Sequence, residues 1–446
     1  MRYSYFARAL ADSILAGGSS TDAITSRLTR TLGRSWPWLR PLVLRYRKNF
    51  PEDTRPSRNA VVAFLLYDQK LRRARSKHRD EVTIAEWVHE PGGMQPVPAA
   101  TTWDLPAIDS VGALANWLGI AVNDLLWLAD LKGLGHQLGQ PFLEHYHYRI
   151  LQKPSGQIRL IEIPKPRLKE IQRKVLSGIL DKIPSHPAAH GFVKNRSIRT
   201  FAAPHVRRPC LLRMDLQDFF PTFSAARVSA LFRIGGYPES VAALLAGFCT
   251  NAVARKFWTR DMLSLRSETL RAAQGLYAKP HLPQGAPTSP SLANICSYRL
   301  DCRLSGLAAS EGVRYTRYAD DLAFSGGDVF ARKAERFSLH AAAILMEEGF
   351  QVNHRKTRVM RQGVRQHLAG LVANQKLNVP RPDYDRLKAT LTNCRRHGPQ
   401  MENRDGHPMF RSHLEGQVAF VESVNPLKGA RLRSIFQQIS WSAPSR

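Results

Sequence analysis

Two adjacent aspartates set between short apolar runs constrain this chain more than any other feature. Tyr318-Ala319-Asp320-Asp321 falls between the strand-like segments 313–317 and 322–325, which places both carboxylates on a tight hairpin turn. Carboxylates held this way suit Mg²⁺, a hard cation that takes oxygen ligands and keeps room for phosphate oxygens. Aspartates are also ordinary turn residues, so the weight of the pair depends on what stands around it.

A second carboxylate element lies upstream. Residues 209–215 read as a buried strand ending in Asp215, within Met214-Asp215-Leu216-Gln217-Asp218-Phe219-Phe220. Between the two elements runs the loop Leu282-Pro283-Gln284-Gly285-Ala286-Pro287-Thr288-Ser289-Pro290. Gly285 permits close backbone approach, the prolines stiffen the loop, and Ser289 can start the next helix. Carboxylates brought from separate elements are what phosphoryl transfer with two divalent ions requires. In that reading Asp215 and Asp320 bridge the ions and Asp321 is the partner carboxylate. Asp218 either caps the following helix or lies near a triphosphate. Downstream, Gly349-Phe350 and Val352-Asn353 lead to Lys356-Thr357, and Lys356 suits a leaving pyrophosphate. Arg159, with Lys153 behind it, is a candidate partner for a triphosphate; each reads equally as a salt-bridged surface residue.

The charge balance agrees with a polyanionic partner. Lys and Arg number 65 against 36 Asp and Glu, a formal net charge of +29 over 446 residues, and the excess is spread along the chain, as a long nucleic-acid groove would need. Residues 1–80 alone carry 17 basic against six acidic side chains, so this region too is expected to touch nucleic acid. The five cysteines, Cys210, Cys249, Cys296, Cys302 and Cys394, form no Cys-x-x-Cys pair and read as small core residues. Arg8 and Asp12 interrupt the start, which lacks the apolar stretch of a signal peptide, and no run of 18 apolar residues occurs. A cytoplasmic protein without membrane attachment is the expectation.

Residues 1–90 read as helical, including the apolar run 61–67, and Pro91, Gly92, Gly93, Pro96, Pro98 and Pro106 mark a linker. Ser110 is placed to cap a helix over Val111–Leu118, and Asn123 another over 124–130. Segments 147–151 and 157–163 flank Lys153-Pro154-Ser155-Gly156 as a hairpin. A helix follows with Leu168, Ile171, Val175, Ile179 and Ile183 on one face, and a later one carries the stripe Leu292, Cys296, Leu300, Leu304 and Leu307.

Taken together, residues 145–380 resemble the reverse transcriptases. Segments 214–220, 282–290, 318–321, 349–357 and 366–372 match, in order, motifs A to E of their palm. The resemblance implies an α+β right-hand polymerase with fingers, palm and thumb, an antiparallel palm sheet and a helical N-terminal extension. Its boundaries would be 1–110 for the extension, 111–205 for fingers, 206–375 for palm and 376–446 for thumb. It implies Mg²⁺, with Mn²⁺ as a substitute, held by Asp215, Asp320 and Asp321. Phe219, Gln284 and Gly285 would line the nucleotide pocket. Phe220 would be the steric gate that excludes a 2′-hydroxyl, and Leu368-Ala369-Gly370 the primer grip. Basic thumb residues Lys388, Arg395, Arg396, Arg411, Lys428, Arg431 and Arg433 would track RNA, although any one of them reads as a solvated helix face.

Within the family the chain is similar to the bacterial retron type, which carries His-Gly-Phe before motif A, here His190-Gly191-Phe192. Two retron segments depart from the pattern. Asn-Ala-x-x-His is Asn251-Ala252-Val253-Ala254-Arg255, and Val-Thr-Gly is Leu368-Ala369-Gly370. That type implies a dedicated structured non-coding RNA as template and primer, dNTPs, a branched RNA–DNA product and a role in phage defence through a separate effector protein. A defence-associated reverse transcriptase without such an RNA, a group II intron-type enzyme and a non-catalytic RNA-binding scaffold are the competing readings. The chain stops too soon after Asp321 for the nuclease module that many intron enzymes carry.

Overall fold

The computed structural model describes residues 3–79, 81–88, 93–133, 144–152, 156–259 and 267–441. Lys153, Pro91 and Gly92 lie outside the described residues. The chain divides into two compact units, Met1–Pro184 with Phe220–Cys296 and Ser185–Phe219 with Ser297–Arg446.

The first unit opens with helices Tyr3–Leu15, Thr21–Leu32, Leu39–Asn49, Arg58–Tyr67 and Gln69–Lys77. Ser20, Ser57 and Asp68 each accept a hydrogen bond from the amide three residues on, which satisfies a donor that the helix start would otherwise leave open. Their inner faces close one core around Phe6, Leu10, Leu28, Leu42, Val43 and Leu65. Several of the arginines here are held in internal ion pairs. Arg58 is 2.5 Å from Asp12, Arg45 is 2.7 Å from Asp68, and Arg30, Arg34 and Arg40 pair with Glu86, Glu81 and Asp22.

Ser110 caps the helix Val111–Leu118 through the Ala113 amide. Asn123 caps nothing: the next helix starts a residue earlier, at Val122, and runs to Ala129. Strands β1 (Tyr146–Gln152) and β2 (Ile158–Pro164) pair antiparallel. The helix Pro166–Gly178 buries Leu168, Ile171 and Val175 but stops short of the expected stripe. Ile179 and Ile183 are buried beyond its end, beside the 3₁₀ turn Leu180–Lys182. Gly178 is the last helical residue, where a Cβ would lie 2.5 Å from the Trp117 ring, and Ile179 leaves the helix at φ −124° and ψ −61°.

The second unit is built on β3 (Cys210–Gln217), whose nearly unbroken apolar run is buried between neighbours on both sides. It pairs antiparallel with β5 (Asp321–Gly326) on one side and with β6 (Gln351–Val352) and β7 (Arg358–Arg361) on the other, while β4 (Arg314–Tyr318) extends the sheet beyond β5. The strand therefore runs two residues past Asp215, which is not its end. Helices Arg381–His397, Phe410–Val424 and Pro426–Gln437 share a core with Leu211, Ala323, Leu368 and Leu371.

The single helix expected from Leu292 to Leu307 is two, Ser289–Cys296 and Tyr298–Ser310. Ser297 breaks it with φ −87° and ψ 2°, the bridge region outside the helical well. All five cysteines are free, and Cys302 is exposed rather than core. Among the described residues no single helix is long and apolar enough to cross a membrane. The short helices Val111–Leu118 and Val122–Ala129 reach that composition only as a pair bent by 94°.

His205 is a buried polar anchor behind β4 and β5. Its Nε2 lies 2.7 Å from the Thr316 hydroxyl and its Nδ1 2.7 Å from that of Ser325. Thr316 donates to the Phe201 carbonyl, so Nε2–H donates to Thr316 and Nδ1 accepts from Ser325. Burial, then nearby positive charge, pushes the imidazole down to about 3. The unfolded ring takes up a proton below about 6.5 while the folded one stays neutral, so stability is complete above that pH and falls as the medium is acidified. Urea unfolding at pH 7.5 and 5.5 should find the parent losing about 1.4 kcal/mol more than His205→Asn.

Candidate active site

The β4–β5 connection is a two-residue turn, because Tyr318 pairs directly with Asp321 and leaves only Ala319 and Asp320 between the strands. Ala319 takes φ +54°, a conformation that costs a residue with a Cβ about 1–2 kcal/mol. Surrounding contacts hold it there. The buried Arg317 guanidinium donates to the Ala319 carbonyl at 3.2 Å, and the Asp320 carbonyl accepts from the Leu216 amide at 2.9 Å. Gly191 presses on the same peptide so closely that a Cβ would lie 2.7 Å from the Ala319 nitrogen.

Arg317 is itself locked. Its Nε and Nη2 meet the two oxygens of Asp301 at 2.8 and 2.7 Å, and the Tyr315 hydroxyl donates to the same carboxylate at 2.8 Å. Both charged side chains are fully buried.

This framework brings Asp215, Asp320 and Asp321 together. Asp215 and Asp321 are direct cross-strand partners. Burial raises Asp320 to about 6, assisted by the charges of Asp215 and Asp321. Burial also raises Asp321, against the opposing pull of Arg213. Lys356 is delivered by a turn pinned to β3, since the Asn353 amide donates to the Asp215 carbonyl at 2.8 Å; its Nζ lies 2.9 Å from Asp215 Oδ2. Arg213 holds Asp321 Oδ1 at 2.7 and 2.9 Å. With two carboxylates turned onto cations, no three His, Cys, Asp or Glu side chains among the described residues form a ready metal cage. Asp218, at φ +46°, accepts from Gln217 at 3.2 Å. Phe219 is buried and stacks on Phe350 with ring centroids 6.0 Å apart.

The first unit carries the other predicted nucleotide residues. Phe220 is half-buried in the short helix Phe219–Thr222, and Arg159 is exposed on β2 opposite Leu151. The Gln284 carbonyl accepts from the Glu162 amide at 2.8 Å, and Gly285, exposed at φ +129°, would place a Cβ 2.7 Å from the Glu162 carbonyl oxygen.

Leu368-Ala369-Gly370 lies at a second tight hairpin. Strands β8 (His367–Leu368) and β9 (Leu371–Val372) flank Ala369 at φ +44° and Gly370 at φ +84°. Two successive positive φ values match the right-handed twist of a two-residue hairpin. Leu368 is fully buried, so its departure from valine exchanges one core residue for another. Arg255, where the retron pattern has His, is exposed.

Of the C-terminal basic residues, Lys388, Arg395, Arg396, Arg411 and Arg431 are exposed. Arg395 donates to Gln438, the Arg411 guanidinium lies 5.8 Å from the Trp441 ring centroid, and Lys428 stands 4.7 Å from that of Tyr384. Arg433 is committed to Glu422 and Glu415, which makes it a structural residue first.

Arg213 escaped the sequence reading although a signal existed: it precedes Asp215 by two and shares its strand face. Gly191 was marked only as part of the His190-Gly191-Phe192 segment, without its contact to the 318–319 peptide, and nothing in the sequence ties Asp301 to Arg317.

A family model described as reverse transcriptase (RNA-dependent DNA polymerase) matches residues 151–379. The chain is 43% identical over 291 residues to the Retron Mx65 reverse transcriptase of Myxococcus xanthus, a match spanning 65% of this chain and 64% of that protein. It is 38% identical over 339 residues to the Retron Mx162 reverse transcriptase of the same organism, spanning 73% and 66%. To the Retron Ec86 reverse transcriptase of Escherichia coli it is 31% identical over 294 residues, spanning 64% and 79%. The matches thus cover just under two thirds of the two myxococcal proteins.

Proposed function

Since this chain belongs to the reverse transcriptases, and among them to the bacterial retron type, we propose that it is an RNA-directed DNA polymerase that copies a structured non-coding RNA into single-stranded DNA. The observation that carries this reading is the convergence of Asp215, Asp320 and Asp321 on paired strands. Residues 1–110 would be the extension, 111–205 the fingers, 206–375 the palm and 376–446 the thumb.

The donor set fits divalent metal. All three ligands are hard carboxylate oxygens, and the upward push on Asp320 marks a site short of positive charge. Asp215, Asp320 and Asp321 would hold two Mg²⁺ ions, or Mn²⁺ in their place. When bound, the ions activate the attacking hydroxyl and steady the leaving pyrophosphate. Arg213 holds Asp321 in one orientation through two bonds to a single oxygen, leaving Oδ2 open. Lys356, its amine half-exposed beside Asp215, is placed to give a proton to the pyrophosphate. Phe220 packs under the sugar and excludes a 2′-hydroxyl, Gln284 and Gly285 line the base-side pocket with Arg159 at the triphosphate, and the 369–370 turn grips the primer.

The RNA would serve as both template and primer, giving a branched RNA–DNA product, and the product would act in phage defence with a separate effector. The experiment is to purify the protein from its native locus and sequence what accompanies it, with and without RNase. One discrete RNA joined to a short DNA is the expected result; heterogeneous RNA without DNA would overturn the retron reading. In primer extension with Mg²⁺, Phe220→Ala should lower discrimination against ribonucleotides about a hundredfold. Unchanged dNTP preference would remove Phe220 from the gate.

A further inference from the structure

Asn251 stands in a segment characteristic of the retron type, a place to look for an RNA-facing residue. The side chain is instead consumed inside the first unit. Asn251, 8% exposed, donates through Nδ2 to Glu162 Oε1 at 2.8 Å and to the Tyr148 hydroxyl at 3.1 Å. Glu162 is fully buried, and its other oxygen lies 2.9 Å from Nε2 of His281, which is also buried. His281 Nδ1 lies 2.7 Å from the Lys279 carbonyl. Both ring nitrogens therefore face oxygen atoms, Nδ1 the Lys279 carbonyl and Nε2 the Glu162 carboxylate. The backbones of Asn251 and His281 also exchange two hydrogen bonds, of 2.9 and 3.0 Å.

This cluster ends on the loop assigned to the nucleotide. His281 precedes Leu282-Pro283-Gln284-Gly285 directly. The Glu162 amide holds the Gln284 carbonyl, and the Glu162 carbonyl fills the space that a Gly285 side chain would occupy. One residue thus fixes the loop through its main chain while its side chain fixes the strand leading into it. A buried carboxylate is costly unless its bonds are met, and here each oxygen has a partner.

We infer that Glu162, Asn251 and His281 are positioning residues that set the Gln284-Gly285 loop for the incoming dNTP. This rests on the polymerase reading above. Glutamine at position 162 can accept from Asn251 and donate to a neutral His281, keeping the geometry without the carboxylate. Alanine strands both partners.

The test compares Glu162→Gln, Glu162→Ala and Asn251→Ala with the unaltered chain. Amide exchange over residues 278–292 is followed without substrate, and dNTP KM and kcat are measured on a primed RNA template. Expected are faster loop exchange and a KM about tenfold higher in Glu162→Ala, near-parental values in Glu162→Gln, and an intermediate KM in Asn251→Ala with RNA affinity unchanged. If Glu162→Ala does not fold, Asn251→Ala decides alone. Unaltered loop exchange in Glu162→Ala and Asn251→Ala, or a loss of RNA affinity with unchanged dNTP KM in Asn251→Ala, overturns the inference. An unaltered enzyme that makes no DNA refutes the polymerase reading instead, and the exchange measurement still decides the loop.

Discussion

Asp320→Asn should abolish nucleotide incorporation while making the metal-free protein more stable at neutral pH. The loss in rate is expected to be at least about a thousandfold, because the substitution removes a charge on which the metal site depends. The gain in stability has a separate cause. Asp320 is raised to about 6 when folded, by burial first and then by Asp215 and Asp321, so the native state binds a proton more tightly than the unfolded chain. Stability then falls as pH rises through that value, and the ionised side chain opposes folding above it. Thermal melts without divalent ions at pH 7.5 should place the variant above the parent, and the difference should shrink as pH falls from about 6 toward the unfolded value of 3.8. The double variant Asp320→Ala/Asp321→Ala also loses synthesis and retains RNA binding, but it strands Arg213 and gains less stability. Incorporation that survives either substitution would remove these carboxylates from the reaction.

Asp301→Ala should be the most damaging single change outside the carboxylates. It leaves the Arg317 guanidinium buried without its counter-ion and the Tyr315 hydroxyl without its acceptor. Removing one partner from such a pair costs about 3–5 kcal/mol, readable as a shift in the urea midpoint at constant slope. Activity should fall beyond what the folded fraction explains, because Arg317 also holds the Ala319 carbonyl at the turn that presents Asp320. The paired change Asp301→Leu/Arg317→Met should recover much of the stability and little of the activity. Equal recovery of both would reduce the pair to a packing element.

What the sequence disclosed follows the range of the forces involved. The β3 strand was readable because apolar residues dominate it around Arg213 and Asp215, and the 318–321 turn because two short strands bracket two residues. Ser110 was readable as a cap because its acceptor role is local. The breaks were not: the chain leaves the helix at Ile179 although the apolar stripe runs on to Ile183, and Ser297 interrupts a stripe that looks seamless as periodicity. Charge counting over residues 1–80 could not show which arginines are held by partners: Arg40, Arg45 and Arg58 pair with Asp22, Asp68 and Asp12, and the basic surplus of the segment stands. At the candidate site the carboxylates and Lys356 stood out by type and order. Arg213, Asp301 and Gly191 act through neighbours that only folding supplies.

The strand bearing Asp215 has a neighbour along both edges. A residue on a peripheral strand can be disarmed by fraying; one in this place leaves its position only when the sheet itself comes apart. Loss of the carboxylate arrangement should therefore track the melting of the second unit. Control over such a centre has to act on admission, by what reaches the carboxylates, since local melting is not available as an off state.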